Sequence, residues 1–242
     1  MLLINFYGDG KMVGIIGAMD IEVKDLLVHM EYKSCEEISG IKYYTGRING
    51  TVCAVAQCGI GKVAAAVCAQ TMILKYKPEA LVNVGVAGGV GSSVHIGDIV
   101  VSDCAVQHDM DTTALGDPAG MISGINLVKI PASERLVKLA CAKAEKIYGS
   151  GKVHIGTVAT GDQFISGAEK LKGISSAFGA SACEMEGGSI AQVCYINNVD
   201  FVILRAISDK ADEKADMDFN SFAEKSAKET AGLITDMLPG ME

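Results

Sequence analysis

The residues best suited to chemistry in this sequence stand where apolar runs end. Glu22 follows the run MVGIIG (Met12–Gly17) and a short turn. Glu184-Met185-Glu186 comes just before Gly187-Gly188-Ser189-Ile190, and Arg205-Ala206-Ile207-Ser208-Asp209 follows the β-rich stretch Phe201–Leu204. Carboxylates so placed can exchange protons and accept hydrogen bonds from hydroxyls, and a guanidinium can orient an anion. Each also has an ordinary explanation. An acid in the first turn of a helix, as Glu22 and Glu186 would be, is favoured by the helix dipole alone. Ser208 and Asp209 could simply cap the exit of the chain from a strand. A fourth place, the glycine cluster at Val86–Gly91, lacks the Lys-Ser/Thr of a phosphate loop and does not fit the G-x-G-x-x-G spacing. Its glycines suit close approach of backbone to a ligand better than a dinucleotide or triphosphate site.

The elements that must position these residues alternate between strand and helix. Strands are expected at Met12–Gly17, Ala80–Gly85, Asp98–Val106, Val153–Thr160 and Asp200–Ile207. Helices are expected at Asp20–Met30, Gly61–Lys75, Ser133–Tyr148 with Ser133 as N-cap, Gly187–Ile196 and Phe219–Met237. Asn49-Gly50 between Ile41–Asn49 and Thr51–Gln57 is a hairpin signal, adding an antiparallel pair. The pattern predicts an α/β fold: a single domain with a mixed, mostly parallel twisted central sheet flanked by helices. In such sheets ligands bind beyond the carboxyl ends of the strands, where the four segments lie. Residues 1–11 precede the first strand and are read as an extension, leaving 12–242 as the domain.

Composition narrows the function classes. Hydrophobic residues at 49% and charged residues at 21% exclude disorder, collagen and coiled coil as the main architecture. A net charge of −8 without a Lys/Arg run argues against nucleic acid and anionic membrane as partners. No run approaches the length of a membrane span, and the N-terminus lacks the pattern of a secretory signal. The eight cysteines form no C-x-x-C pair, and the four histidines show no ligand spacing, so reduced thiols in a cytoplasmic protein and no metal site are expected.

Seven segments in order resemble one family: GIIGAMDIEV (Gly14–Val23), GIGKVAAA (Gly59–Ala66), NVGVAGG (Asn83–Gly89), GDIVVSD (Gly97–Asp103), ATGDQFI (Ala159–Ile165), CEMEGGSIA (Cys183–Ala191) and RAISDKAD (Arg205–Asp212). Together they resemble the nucleoside phosphorylase/nucleosidase superfamily, and most of all its 5′-methylthioadenosine/S-adenosylhomocysteine nucleosidases, from about Met12 to Met237. The resemblance implies a nucleoside phosphorylase-like fold, hydrolysis of an N-ribosidic bond and no cofactor. It makes Asp209 the acid that protonates the leaving purine, with Ser208 beside it. Glu22 becomes the base that activates a catalytic water, and Glu186 the acceptor of the ribose hydroxyls, with Arg205 orienting carboxylate and water. Met185 and Met19 would pack on the ribose. Phe164 would stack on the adenine and the Ile165 backbone read its edge, with Ala87 and Gly88 close beneath the nucleoside. Ile60 and Phe219 would line the 5′ pocket.

Phosphorylases of the superfamily carry an arginine before the glycine cluster and another after the first strand. Asn83 and the acidic Met19-Asp20-Ile21-Glu22 stand in those places, so hydrolysis is expected over phosphorolysis. Two departures concern the 5′ end: Val86 replaces a serine or threonine, and Gly116-Asp117-Pro118-Ala119-Gly120 lacks an aromatic. Asp117 would then either favour a polar 5′ group or lie in a surface loop. The resemblance further implies a homodimer in which His108–Ile122 forms a lid and part of the interface, and a small nucleoside as the partner molecule. A relative acting on another 5′-modified nucleoside, such as 5′-deoxyadenosine or a futalosine-type compound, is the alternative.

Overall fold

The computed structural model describes residues 11–211 and 215–241, with the backbone alone for 215–221. Phe219 thus lies in a helix, but its side chain is outside the described residues, as are residues 1–10 of the expected extension.

The chain begins with β1 (Met12–Gly17) and α1 (Asp20–Val28), then the strands β2 (Glu31–Ile38), β3 (Ile41–Ile48) and β4 (Thr51–Gln57), α2 (Lys62–Tyr76) and β5 (Ala80–Gly89). It continues with β6 (Ile99–Gln107), the short β7 (Ile130–Pro131), α3 (Glu134–Tyr148), β8 (Val153–Thr160), α4 (Ala168–Phe178), β9 (Ala180–Glu184), α5 (Gly187–Asn197), β10 (Asp200–Asp209) and α6 (Ala215–Met237). The hairpin turn at Asn49-Gly50 forms as expected. Both residues have positive φ, and Ile48 pairs with Thr51 across them. Ser133 precedes α3 but makes no capping bond; its hydroxyl donates instead to Asp200 Oδ2 at 3.0 Å, which removes it from the helix N–H groups.

β5 organises the sheet. Ala80–Asn83 pair in parallel with β1 on one side, while β10 runs parallel along the other side from Asp200 onward. Near its end β5 pairs antiparallel with β9 at Gly88 and Gly89. β9 is parallel to β8, β8 to β6, and β6 is antiparallel to β10. The strands β5, β10, β6, β8 and β9 therefore close on themselves, and β1, β4, β3 and β2 extend from the ring as an open flank. Buried on both faces, β1, β5 and β10 are mostly apolar, interrupted inside the fold only by Asn83 in β5 and by Arg205, Ser208 and Asp209 toward the end of β10.

The glycine cluster was expected after a strand ending at Gly85, yet β5 runs on to Gly89. Glycine makes that continuation possible. A Cβ on Gly88 would stand 2.7 Å from Ala211 Cβ and 2.9 Å from Asp209 Oδ1, so the close pairing there tolerates no side chain. Helices cover both faces of the sheet. α2 and α5 bury Ala65, Cys68, Met72, Ile190 and Cys194 on one face, whereas α1, α3 and α6 bury Val23, Leu26, Leu136, Ala140, Ile234 and Met237 on the other. None of the eight cysteines is in a disulfide, and five of them are buried: Cys53, Cys58, Cys68, Cys183 and Cys194.

Candidate active site

The carboxyl ends of β1, β5, β9 and β10 meet at one cavity of about 240 Å³. Its lining includes Met19, Glu22, Ile60, Ala87, Gly88, Phe164, Ile165, Met185, Glu186, Ser208 and Asp209. Three carboxylates far apart in the sequence are thus brought to one space. Of the expected site residues, Arg205 lies behind the lining and Phe219 is outside the described side chains. Val86, noted from the sequence only as a departure from the family pattern, also lines it, and Ala18, Gln163, Cys183 and Glu184, not expected as site residues, complete the lining.

Glu22 sits at the start of α1 and folds back over the end of β1. Its Oε2 accepts the backbone N–H groups of Ala18 at 2.7 Å and Met19 at 2.9 Å, and Oε1 accepts that of Val86 at 3.1 Å. The bond to Val86 uses backbone alone, so the valine at that position does not disturb it. Burial pushes the Glu22 carboxyl above its ordinary value, opposed by the Arg205 guanidinium and the three N–H donors. A carboxyl so raised is a better proton acceptor than an exposed one. Gly85 makes room for it: a Cβ there would lie 2.5 Å from Glu22 Oε1.

Glu184 is the carboxylate that sequence reading passed over. Arg205 was expected to orient Glu186, but its hydrogen bonds run elsewhere. Nη2 donates to Glu184 Oε2 and to Asn83 Oδ1, both at 2.5 Å. Glu184 also accepts the N–H groups of Glu186 at 3.0 Å and Gly187 at 2.7 Å, and the Thr160 hydroxyl. The buried pair therefore fixes the backbone from which Glu186 projects. No local signal marked it: the strand that Glu184 ends is not expected from the sequence, and Glu186, two positions on, accounts for the motif. Asn83 also donates to the Ile16 carbonyl at 2.9 Å, joining β1, β5 and β10 beneath the cavity.

Glu186 accepts the Gly61 N–H through Oε1 at 2.8 Å. Burial, then the adjacent Glu184 carboxylate, push its pKa up to about 7, while Gly61 and Arg205 pull it down. At the far side, Ser208 donates to Asp209 Oδ2 at 2.9 Å, and Asp209 Oδ1 accepts the Ala211 N–H at 2.8 Å. Asp209 is thereby aimed into the space above Ala87 and Gly88. Cys183 lines the same wall, its thiol pushed up to about 12 by burial and so held neutral. At the opening, Ile60 and Phe164 are exposed. Asp117 does not line the cavity; it accepts the Thr112 hydroxyl at 2.8 Å within its own loop. No cluster of His, Cys, Asp or Glu able to hold a metal ion occurs among the described residues.

Residues 12–239 match the Phosphorylase superfamily. A curated relative, 5′-methylthioadenosine/S-adenosylhomocysteine nucleosidase of Glaesserella parasuis serovar 5, is 40% identical over 93% of this chain and 97% of its own. The chain belongs to the 5′-methylthioadenosine/S-adenosylhomocysteine nucleosidase family of that superfamily. Among solved structures, the nucleosidase from Neisseria meningitidis in complex with methylthio-immucillin-A superposes with a TM-score of 0.91 at 33% identity, covering 95% of this chain and 99% of that one. Futalosine hydrolase of Helicobacter pylori strain 26695 superposes with a TM-score of 0.90 at 35% identity, covering 95% and 98%. The chain is an enzyme of the N-glycosyl hydrolase kind, with the mixed sheet and flanking helices of these relatives. No described helix is long and apolar enough to cross a membrane.

Proposed function

We propose that this enzyme hydrolyses the N-glycosidic bond of 5′-methylthioadenosine and S-adenosylhomocysteine, releasing adenine and the 5-thioribose product. The observation that carries this reading is the convergence of Glu22, Glu186 and Asp209 on one cavity. The leaving purine is a poor anion, so Asp209, steadied by Ser208, protonates N7 as the bond lengthens. The ribose gains oxocarbenium character and is met by a water that Glu22 deprotonates. Glu186 accepts hydrogen bonds from the 2′- and 3′-hydroxyls, which holds the sugar between the acid and the base. The division of labour is that of inverting glycosidases, with two carboxyl groups on opposite sides of the ring. Phe164 and the Ile165 backbone take the adenine, Met19 and Met185 the ribose, and Ile60 the 5′ substituent, with Phe219 assigned to the same pocket.

Hydrolysis is favoured over phosphorolysis because the described lining holds no Lys or Arg to bind a phosphate dianion, and Glu22 occupies that region. The one nearby guanidinium, Arg205, is engaged by Glu184 and Asn83. The likeness to futalosine hydrolase supports a second reading with the same chemistry and a different 5′ group. We also propose a homodimer in the cytoplasm. The exposed apolar residues Val63, Val67 and Leu74 recur at helical spacing along α2, Ile60 is exposed just before it, and Leu115 is exposed in the expected lid. A second copy covering that stripe would close the apolar mouth.

The test is adenine release from both nucleosides in phosphate-free buffer by the parent, Glu22→Gln and Asp209→Asn. Each variant is expected to lose at least about 1,000-fold in kcat, as removal of an essential acid or base does. Losses under about tenfold in both, or a requirement for phosphate, would overturn the assignment. A panel of 5′-substituted adenosines and futalosine separates the two substrate readings.

A further inference from the structure

Three residues outside the cavity form a closed ring of hydrogen bonds. The backbone N–H of Lys62 donates to Asp162 Oδ1 at 2.8 Å, and the backbone N–H of Asp162 donates to Asp109 Oδ2 at 2.9 Å. The Lys62 ammonium completes the ring on Asp109 Oδ1 at 2.6 Å. The ring ties the first residue of α2 to the segments that follow β6 and β8. Lys62 and Asp109 are largely buried, with side chains 19% and 16% exposed, so water screens the pair less than a surface one. Burial alone would raise the Asp109 carboxyl; the Lys62 bond and the Asp162 N–H outweigh it and hold it below its ordinary value.

Two members of the ring, Lys62 and Asp162, adjoin cavity walls, and Asp109 bridges them. Ile60 and the Glu186-bound Gly61 immediately precede Lys62, and Gln163, Phe164 and Ile165 immediately follow Asp162. The backbone around the ring is held on its inner side too: Gly161 donates to the Glu184 carbonyl at 3.1 Å and His108 to the Thr160 carbonyl at 2.9 Å. The His108 ring packs against Gly161 so closely that a Cβ there would lie 2.4 Å from the imidazole. By contrast, Glu22 and Asp209 take their own hydrogen bonds from other residues.

We propose that Lys62, Asp109 and Asp162 form a clasp that sets the distance between the Ile60 side and the Phe164–Ile165 side of the cavity, and so positions the purine-binding wall. They are positioning residues: they act through the loop they hold, and the proton-transfer groups stand apart from them. The inference rests on the proposed nucleosidase site for its meaning and on the ring of bonds for its existence.

Its test is Lys62→Met, Asp109→Ala and the double variant, with Lys62→Arg as the conservative control. Four quantities are read: kcat, KM, calorimetric affinity for free adenine, and backbone hydrogen exchange at Asp162. Opening the clasp is expected to raise KM and weaken adenine binding by about tenfold while kcat stays within about threefold, the signature of lost positioning in the ground and transition states alike. Because both substitutions break one shared bond, the double variant should be little worse than Asp109→Ala, and Lys62→Arg should retain most of the affinity. Exchange and adenine binding are read without turnover, so they decide the clasp whether or not the parent protein hydrolyses. Faster exchange at Asp162 with adenine affinity unchanged within about twofold would overturn the proposal, as would a fall in kcat matching the rise in KM.

Discussion

At the floor of the cavity Glu22, Glu184 and Arg205 are buried and each holds several hydrogen bonds within the chain, whereas at the mouth Ile60 and Phe164 keep 63% and 50% of their surfaces exposed. The floor is finished by the chain itself. Groups that carry charge through a reaction must be aimed beforehand, since reorienting them during bond cleavage would add to the barrier. The mouth needs only apolar area, which a ligand or a second subunit can cover on arrival. The contrast predicts that damage to the floor removes stability and turnover, and damage to the mouth removes affinity.

The largest effect should come from Glu184→Ala. It leaves the Arg205 guanidinium without its closest counter-charge and frees the N–H groups of Glu186 and Gly187. Breaking one side of such a buried pair costs about 3–5 kcal/mol. Urea unfolding should show that loss together with a collapse of adenine release. An unchanged midpoint would mean that the floor is not held by this pair. Gly85→Ala is a subtler break of the same region. Its Cβ would stand 2.5 Å from Glu22 Oε1 and 3.3 Å from Arg205 Nη1, so the Glu22 carboxylate, the proposed base, must shift. A displacement of this order costs about 100-fold in kcat. Adenine affinity should stay within about threefold, because Phe164 and Ile165 are untouched. Equal losses in kcat and adenine affinity would erase the distinction between floor and mouth.

The two regions also differed in how legible they were in the sequence. Glu22, Glu186 and Asp209 were readable because each stands where an apolar strand ends, and strand ends converge in α/β folds. Glu184 was not, since its neighbour Glu186 accounted for the motif and nothing local says which carboxylate an arginine will choose. Among the elements, β1 shows as an apolar run and β10 through its apolar stretch Phe201–Leu204, and the Asn49-Gly50 turn announces its hairpin. β2 was missed because its residues Glu31–Ile38 are exposed along nearly the whole strand and carry no apolar alternation. β9 and α4 were missed for another reason: ASACE is short and small-residued, and α4 buries only Ile174 and Phe178. Closure of the sheet through Gly88 and Gly89 lies beyond any local pattern, because the pairing partner is almost a hundred residues away.

Phe164→Ala tests the mouth directly. The ring is half exposed in the free protein, so its removal should leave the urea midpoint nearly unchanged. Stacking on a purine is worth about 1–1.5 kcal/mol, which raises KM by roughly tenfold and leaves kcat within about threefold. A destabilised variant would show that Phe164 serves the fold instead.

Glu186 joins the two regions and gives the smallest effect, one of pH. Its carboxyl is raised from 4.5 to about 7 by burial and by Glu184, so the free protein holds a proton there that the unfolded chain has lost. A raised carboxyl contributes stability that is complete below pH 4.5 and is lost as pH climbs through about 7, the window over which Glu186→Gln should flatten the stability curve. Ligand binding must run the other way. In the proposed site the ribose hydroxyls donate to the ionised carboxylate, so a nucleoside with both hydroxyls would select the deprotonated form and expel the proton. Affinity for such a non-hydrolysable nucleoside should therefore rise by roughly fivefold between pH 6 and pH 7, following the ionised fraction of a group with a pKa near 7. A 2′,3′-dideoxy analogue should show no such rise, because it offers Glu186 nothing to accept. Equal pH dependence for the two ligands would place the titrating group elsewhere and return the ribose contact to some other residue of the lining.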